Sequence, residues 1–236
     1  WRDGMGVSAA YIAQSYEAAN QLDSADIYLN RAIDIFKDDT ASRAQSNLGA
    51  LLNEKANVEK ARGNYRAAIE HFLQSNDITG RFDTKEKHIN LGVGFINIAL
   101  VFEEMQQYGN ALPYCEKALA ELKTAEQQLS DTAYRTVVHN CRAQAVLCIV
   151  HNKIKTGFAE DAFRLLHEAS SGIKKQNNDD LNAFLYTEWG NCYEAMGKLS
   201  DALSAYQKAL VYARNIDFRK VPALTALGNM HKQKKE

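Results

Sequence analysis

One spacing recurs along this chain, and it leaves few folds open. In WGNCYEAMGKLSDALSAYQKAL, residues 189–210, the small residue Gly190 is followed by Tyr193, Gly197, Ala202, Tyr206 and Ala209 at fixed intervals. The same ruler fits through Ala13, Tyr16, Asn20, Ala25, Leu29 and Ala32. It fits again through Ala56, Glu59, Gly63, Ala68, Phe72 and Ser75, and through Ala99, Phe102, Gln106, Ala111, Cys115 and Ala118. A weaker copy runs through Val150, Lys153, Gly157, Ala162, Leu166 and Ala169, and a half-copy begins at ALGNMHK. Self-similarity on this scale is the mark of a stacked repeat, in which each unit buries its apolar face only against its neighbours.

The ruler describes a helical hairpin. Small residues on the first helix (Ala13, Ala56, Ala99, Gly190) allow a second helix to cross closely. A Gly or Asn then stands where the first helix must end, the position that favours a left-handed backbone. A polar residue such as Asp23 or Ser200 is expected to cap the second helix by accepting from its free backbone N–H groups. That second helix packs back through positions four and three apart, one face of a 3.6-residue period. Only two prolines interrupt 236 residues, so long helices are unopposed. The expected fold is all-α, a right-handed superhelix of about five and a half helical hairpins forming a single domain over 1–236. Its units run roughly 6–36, 46–78, 92–122, 140–172 and 181–213, with a half-repeat at 222–236. The opening at Trp1, without an initiator Met, reads as the edge of a fragment of a longer protein.

These residues resemble the tetratricopeptide repeat family, across essentially the whole chain. The fifth copy matches best, from Trp189-Gly190 to Ala209; Glu59 and Lys153 depart from it, standing where an aromatic is usual. The alanines at 25, 68, 111, 162 and 202 are 43, 43, 51 and 40 residues apart, longer than the family's short unit of about 34. The extra residues fall in KDDTASR, TGRFDTKEK, KTAEQQLSDT and IKKQNNDD, which suit extra helical turns and longer connections. Long units of this kind resemble those of kinesin light chains, bacterial peptide-responsive regulators, and sensor regions attached to bacterial histidine kinases or helix-turn-helix activators. The resemblance implies a binding module, the sensing or interaction region of a bacterial signalling protein, with a constitutive scaffold as the alternative.

In that family the first helix of each pair lines a concave groove. Two residues before each Tyr position stand Gln14, Asn57, Leu100, His151, Asn191 and Asn229; one residue after it stand Glu17, Lys60, Glu103, Ile154, Glu194 and Lys232. A ladder of side-chain amides can donate to and accept from an extended peptide backbone, and the alternating Glu and Lys would select side chains. The other reading is a solvated helix face, or amides bonding neighbouring helices. The expected partner is therefore a protein or extended peptide segment, or an output domain of the same polypeptide. Chaperone-tail clamps of the family hold a carboxylate with Lys, Arg and Asn; the corresponding places here are Ala10, Asn53, Ile96, Leu147 and Thr187, without a basic cluster.

Other chemistries find little support. LGVG at 91–94 lacks a third Gly and lies in a helical pattern, so it is no dinucleotide loop. The histidines, His71, His88, His139 and His151 among them, lack metal-ligand spacing. No enzyme activity, cofactor or metal is expected. A net charge of −1, with only the short basic stretch HKQKKE, offers no footprint for nucleic acid. No apolar run approaches the ~20 residues of a membrane span, and the cytoplasm is the expected compartment, an extracytoplasmic sensor region the alternative. Cys115, Cys141, Cys148 and Cys192 form no C-x-x-C pair; Cys141 and Cys148 share a predicted helix but stand about 10 Å apart along it. The four are read as small hydrophobes of the helix core, not as a disulfide framework.

Overall fold

In a computed structural model of the protein, the described residues are 2–128 and 132–233, with side chains described for all of these except 2, 3, 42, 132, 133 and 231–233. Among the described residues there are eleven helices and no strand: α1 (Arg2–Ala18), α2 (Leu22–Phe36), α3 (Ser42–Ala61), α4 (Tyr65–Arg81), α5 (Lys87–Glu104), α6 (Tyr108–Gln128), α7 (Thr132–Lys155), α8 (Ala159–Lys174), α9 (Asp179–Ala195), α10 (Leu199–Tyr212) and α11 (Asp217–Gln233). The polar insertions lengthen helices as well as loops, since α6 runs through most of KTAEQQLSDT to Gln128. The chain divides into two compact units, Trp1–Gln107 and Tyr108–Glu236.

In the first unit α1 pairs with α2 and α3 with α4; α2 also packs on α3, and α5 on α4. The apolar stripe of α2 (Ala25, Leu29, Ala32, Phe36) meets Ala9 and Ala13 of α1 and Leu48, Leu51 and Leu52 of α3 in one core. Ser75 of α4 donates to the Gly49 carbonyl of α3 at 2.7 Å, tying that hairpin at its crossing. Glu59 departs from the repeat's aromatic for a visible reason. It is 8% exposed and receives Lys55 at 3.3 Å and the Asn64 amide at 2.7 Å. Lys55 also pairs with Asp26 of α2, and Arg62 reaches Asp26 at 3.3 Å. An ion network therefore joins α2 and α3 where Tyr16, Phe102 and Tyr193 place a ring in other units.

In the second unit the helices pack in chain order from α6 to α11, with α9 touching both α7 and α11. Leu147, Val150, Leu166, Leu181 and Leu185 share one core, and Ala202, Tyr206, Ala209, Ala223 and Met230 another. Here the cysteine reading is corrected. Cys115 of α6 and Cys148 of α7 form a disulfide, with Cα atoms 5.9 Å apart. Spacing along one helix tests only local pairs, and the partner of Cys148 comes from the adjoining helix, 33 residues away. Cys141 and Cys192 are free thiols.

The helix ends repeat with great regularity. Asn20, Gly63, Gln106, Gly157 and Gly197 all take positive φ, from 55° to 90°. At each, the following N–H donates to the carbonyl five residues back, on Tyr16, Glu59, Phe102, Lys153 and Tyr193, all at 2.8 Å. This double closure satisfies carbonyls the helix would leave open. Gly157 and Gly197 adopt the conformation at no steric cost, whereas Asn20 and Gln106 accept modest strain. The capping expectation is corrected: α2 and α10 start at Leu22 and Leu199, after Gln21 and Lys198, and neither has a side-chain cap. Asp23 and Ser200 stand two residues past the cap position, too far inside the helix to accept as a cap does; Asp23 instead pairs with Arg62. A side-chain cap does form on α9, where Asn178 accepts from the Leu181 N–H at 3.1 Å.

Candidate functional site

The first unit carries two adjoining clefts. The larger, about 330 Å³, is lined by Ser46, Gly49, Ala50, Asn53 and Glu54 of α3, by Ser75, Asn76, Ile78 and Thr79 of α4, and by Asn90 and Val93 of α5. The smaller, about 210 Å³, lies between α1 (Gly6, Val7, Ala10, Tyr11, Gln14) and α3 (Asn47, Ala50, Leu51, Glu54). Ala50 and Glu54 line both, so the two form one trough crossing the first helices of successive hairpins. The wall is built of amides, small residues and an exposed ring; Tyr11 is 66% exposed. Ser46, Ala50, Asn53 and Asn57 stand three and four apart on α3, the period that places them on one helix face.

Two groups in this trough are chemically unsatisfied. Asn76 is 8% exposed, and its Nδ2 is buried without a hydrogen-bond partner. Its amide turns toward Gly94 of α5, where a Cβ would stand 2.8 Å from the Asn76 Cγ and 3.0 Å from its Nδ2. The missing side chain at Gly94 makes room for that amide. A buried donor without an acceptor costs about 1–3 kcal/mol, a cost that a bound acceptor removes. Glu54 is the other group. Burial first, and the Glu17 charge second, push its carboxyl above the usual range, against one hydrogen bond from Asn57. Glu17 is also raised by burial, partly offset by Lys60.

The structure brings Gln14, Glu17, Asn57 and Lys60 into this neighbourhood of the first unit. Gln14 is exposed and lines the smaller cleft; Asn57 is half-buried on the Glu54 carboxylate. Lys60 lies 4.0 Å from Glu104. Leu100 and Glu103 are half-buried on α5. The sequence reading overlooked Glu54, Asn76 and Asn90. Asn53 entered it only as a place without a clamp residue, although its spacing of four from Asn57 marks a shared face. Asn97 of α5 donates to that Asn53 oxygen at 3.4 Å.

In the second unit the matched residues form an internal network. Glu188 of α9 is 1% exposed. It receives His151 Nδ1 of α7 at 3.1 Å and Asn191 Nδ2 at 3.1 Å. The Tyr206 hydroxyl of α10 lies 2.9 Å from Asn191 Oδ1 and 2.7 Å from Glu194 Oε2. Burial and the Glu194 contact raise the Tyr206 phenol well above its ordinary range, so it stays a donor. Both ends of the Asn191 amide are therefore engaged. Ile154 packs against the core, Asn229 is exposed on α11, and the Lys232 side chain lies outside the described residues. Trp189 stacks on Tyr193 at 5.5 Å and bonds Ser170 at 3.1 Å. Burial pushes the Cys192 thiol up to about 12, which leaves it un-ionised at neutral pH.

Comparison with known proteins places this architecture. No protein-family model matches the sequence, and no curated protein matches it. Solved structures do match. The nearly identical TPR-like repeats assigned to a kinesin light chain of Podosopora anserina are 17% identical, with 92% of this chain and 98% of that one covered and a TM-score of 0.64. Aspartyl phosphate phosphatase F from Bacillus subtilis is 16% identical over all of this chain and 61% of its own, with a TM-score of 0.68. A signal transduction ATPase with numerous domains from Pyrococcus horikoshii, which has a tetratricopeptide repeat sensor, is 14% identical over 98% of this chain and 37% of its own, at 0.61. Identity this low speaks to the fold alone. The all-α hairpins, their repeated left-handed closures and these likenesses agree: the chain has the tetratricopeptide-like repeat fold.

Proposed function

We propose that the chain is a peptide-binding repeat module, the sensing or interaction region of a bacterial signal-transduction protein, and that its trough in the first unit takes an extended protein segment. The observation that carries this is the Asn76 amide, a buried donor without an acceptor in the wall of a cleft lined by further amides. An extended backbone supplies a carbonyl for such a donor and offers alternating donors and acceptors to Gln14, Asn53, Asn57 and Asn90. The flanking positions of this unit, Glu17, Lys60 and Glu103, would select among side chains. The likeness to a protein with a repeat-built sensor supports the signalling reading. A sensor further requires that ligand favour one of two states of the repeats. No helix among the described residues is long and apolar enough to cross a membrane. We place the chain in the cytoplasm and assign it no catalysis.

A constitutive scaffold is the second reading. It is favoured by the cross-links of the second unit, the Cys115–Cys148 bridge and the Glu188 network, which resist a change of helix packing. Arrays of capped random heptapeptides, probed with the purified chain, test the binding reading. Retention should fall about tenfold in the double variant Gln14→Ala with Asn57→Ala while its thermal melt is kept; undiminished retention would remove the trough from the account.

A further inference from the structure

The trough also carries information about what kind of segment it accepts. Glu54 is the one Asp, Glu, Lys, Arg or His among the described residues lining either cleft, and it lines both. No Lys or Arg stands beside it there. Its described hydrogen bond comes from the neutral Asn57, which leaves most of the carboxylate's acceptor capacity unused. The charge that acts on it is Glu17, of the same sign, and Lys60 faces Glu17 and Glu104. The trough therefore holds a half-buried carboxylate with no counter-ion among the described residues of its lining, and a buried amide donor without an acceptor.

We propose that the trough selects an extended peptide bearing a lysine or arginine, its cationic side chain received by Glu54 and a nearby backbone carbonyl by Asn76 Nδ2. This rests on the peptide-binding reading above and adds the charge of the ligand to it. The two unsatisfied groups call for a cation and a hydrogen-bond acceptor in one molecule, and a basic residue within a polypeptide supplies both. An acidic segment, or a peptide end with a free carboxylate at this point, would place like charge against Glu54 and Glu17. An aliphatic side chain of the same length would fill the cleft yet cover the carboxylate without supplying a counter-ion, which is costly. Gly94 belongs to the device as the residue whose missing Cβ lets the Asn76 amide stand where it does.

The test uses the full 236-residue chain and four pools of capped heptapeptides. Their flanking positions are randomised over uncharged residues, and the centre is lysine, arginine, norleucine or glutamate. The lysine and arginine pools should retain the protein at least about tenfold better than the norleucine pool, the factor expected of one charge-assisted contact. The glutamate pool should retain least. In Glu54→Gln, which keeps the side chain's size and its bond to Asn57, the lysine-to-norleucine ratio should fall to near one. Wild-type preference should also shrink at 1 M salt, a check that does not depend on any variant folding. Equal retention of the lysine and norleucine pools overturns this proposal and leaves the peptide-binding reading standing. A lysine preference that persists in folded Glu54→Gln overturns it as well. Retention of no pool overturns both readings together.

Discussion

Replacing Gly190 by Ala should destabilise the protein, although alanine is the better helix former. Gly190 sits in α9 against Tyr206 of α10, and a Cβ there would stand 2.5 Å from the ring's Cδ1 and 2.7 Å from its Cζ. The ring is fully buried, and its hydroxyl is held by Asn191 and Glu194 at 2.9 and 2.7 Å. It cannot swing aside without giving up those bonds. Three terms decide the sign. Alanine gains about 1 kcal/mol of helix propensity over glycine. Forcing one carbon into a packed crossing costs about 1–3 kcal/mol. Displacing the phenol from a carboxylate acceptor costs about 1.5–3 kcal/mol more. The net is a loss of about 1.5–5 kcal/mol, or roughly 3–20 °C in Tm at this chain length. Thermal unfolding followed by circular dichroism reads it. Gly172 of α8, where a Cβ would meet nothing within 4 Å, is the control, and Gly172→Ala should gain about 0.5–1 kcal/mol. In a Tyr206→Leu background the penalty at Gly190 should shrink, as coupled neighbours require. A Gly190→Ala protein that melts at or above the wild-type temperature would refute the packing argument.

Three further outcomes are expected. Because the folded pKa of Glu54 is raised, its ionised form weighs against folding; the fold gains relative stability below about pH 4.5 and loses it as pH rises through the raised value. Glu54→Gln should therefore be more stable than wild type at pH 7 in urea titrations, with the gap closing by pH 4, and a less stable variant at pH 7 would contradict the assigned direction. Thiol titration of protein denatured without reductant should find two reactive cysteines, Cys141 and Cys192, and four after reduction; in the native protein Cys192 should react slowly, since burial holds its thiol un-ionised. Asn191→Ala strips both Glu188 and Tyr206 of a partner and should cost about 1–3 kcal/mol, measured by chemical denaturation; an unchanged midpoint would show that Asn191 is free to serve a ligand.

Much of the repeat geometry was written in local spacing. The ruler located five left-handed positions, Asn20, Gly63, Gln106, Gly157 and Gly197, because each ends a helix through contacts within six residues; it did not locate Asn177, which also takes positive φ. It also placed the small residues at the crossings. What it missed depends on partners distant in sequence. The substitution at Glu59 makes sense only when Lys55, Asp26 and Arg62 are brought together, and the partner of Cys148 is fixed by how α6 lies on α7. Asp23 and Ser200 were misjudged as caps by a shift of two residues in helix start, a scale on which sequence patterns are weak. The candidate site was half legible. Gln14 and Asn57 follow from the repeat position, and Asn53 from its helical face. Asn76 lies on a second helix, its amide standing where Gly94 lacks a side chain, which no spacing on either helix announces. Asn191 and His151 occupy the same repeat positions as Asn57, yet they bond Glu188 internally, so equivalence in the repeat does not settle what a side chain contacts.

The most direct test of the account is a nitrogen–proton correlation spectrum of the side-chain amides, recorded with and without a lysine-centred capped heptapeptide. If the trough binds an extended segment, the NH2 signals of Gln14, Asn53, Asn76 and Asn90 should shift together on one saturation curve, with Asn76 moving most as its buried donor gains an acceptor. Peptide binding that leaves those four signals in place, or that shifts amides of the second unit alone, would contradict it.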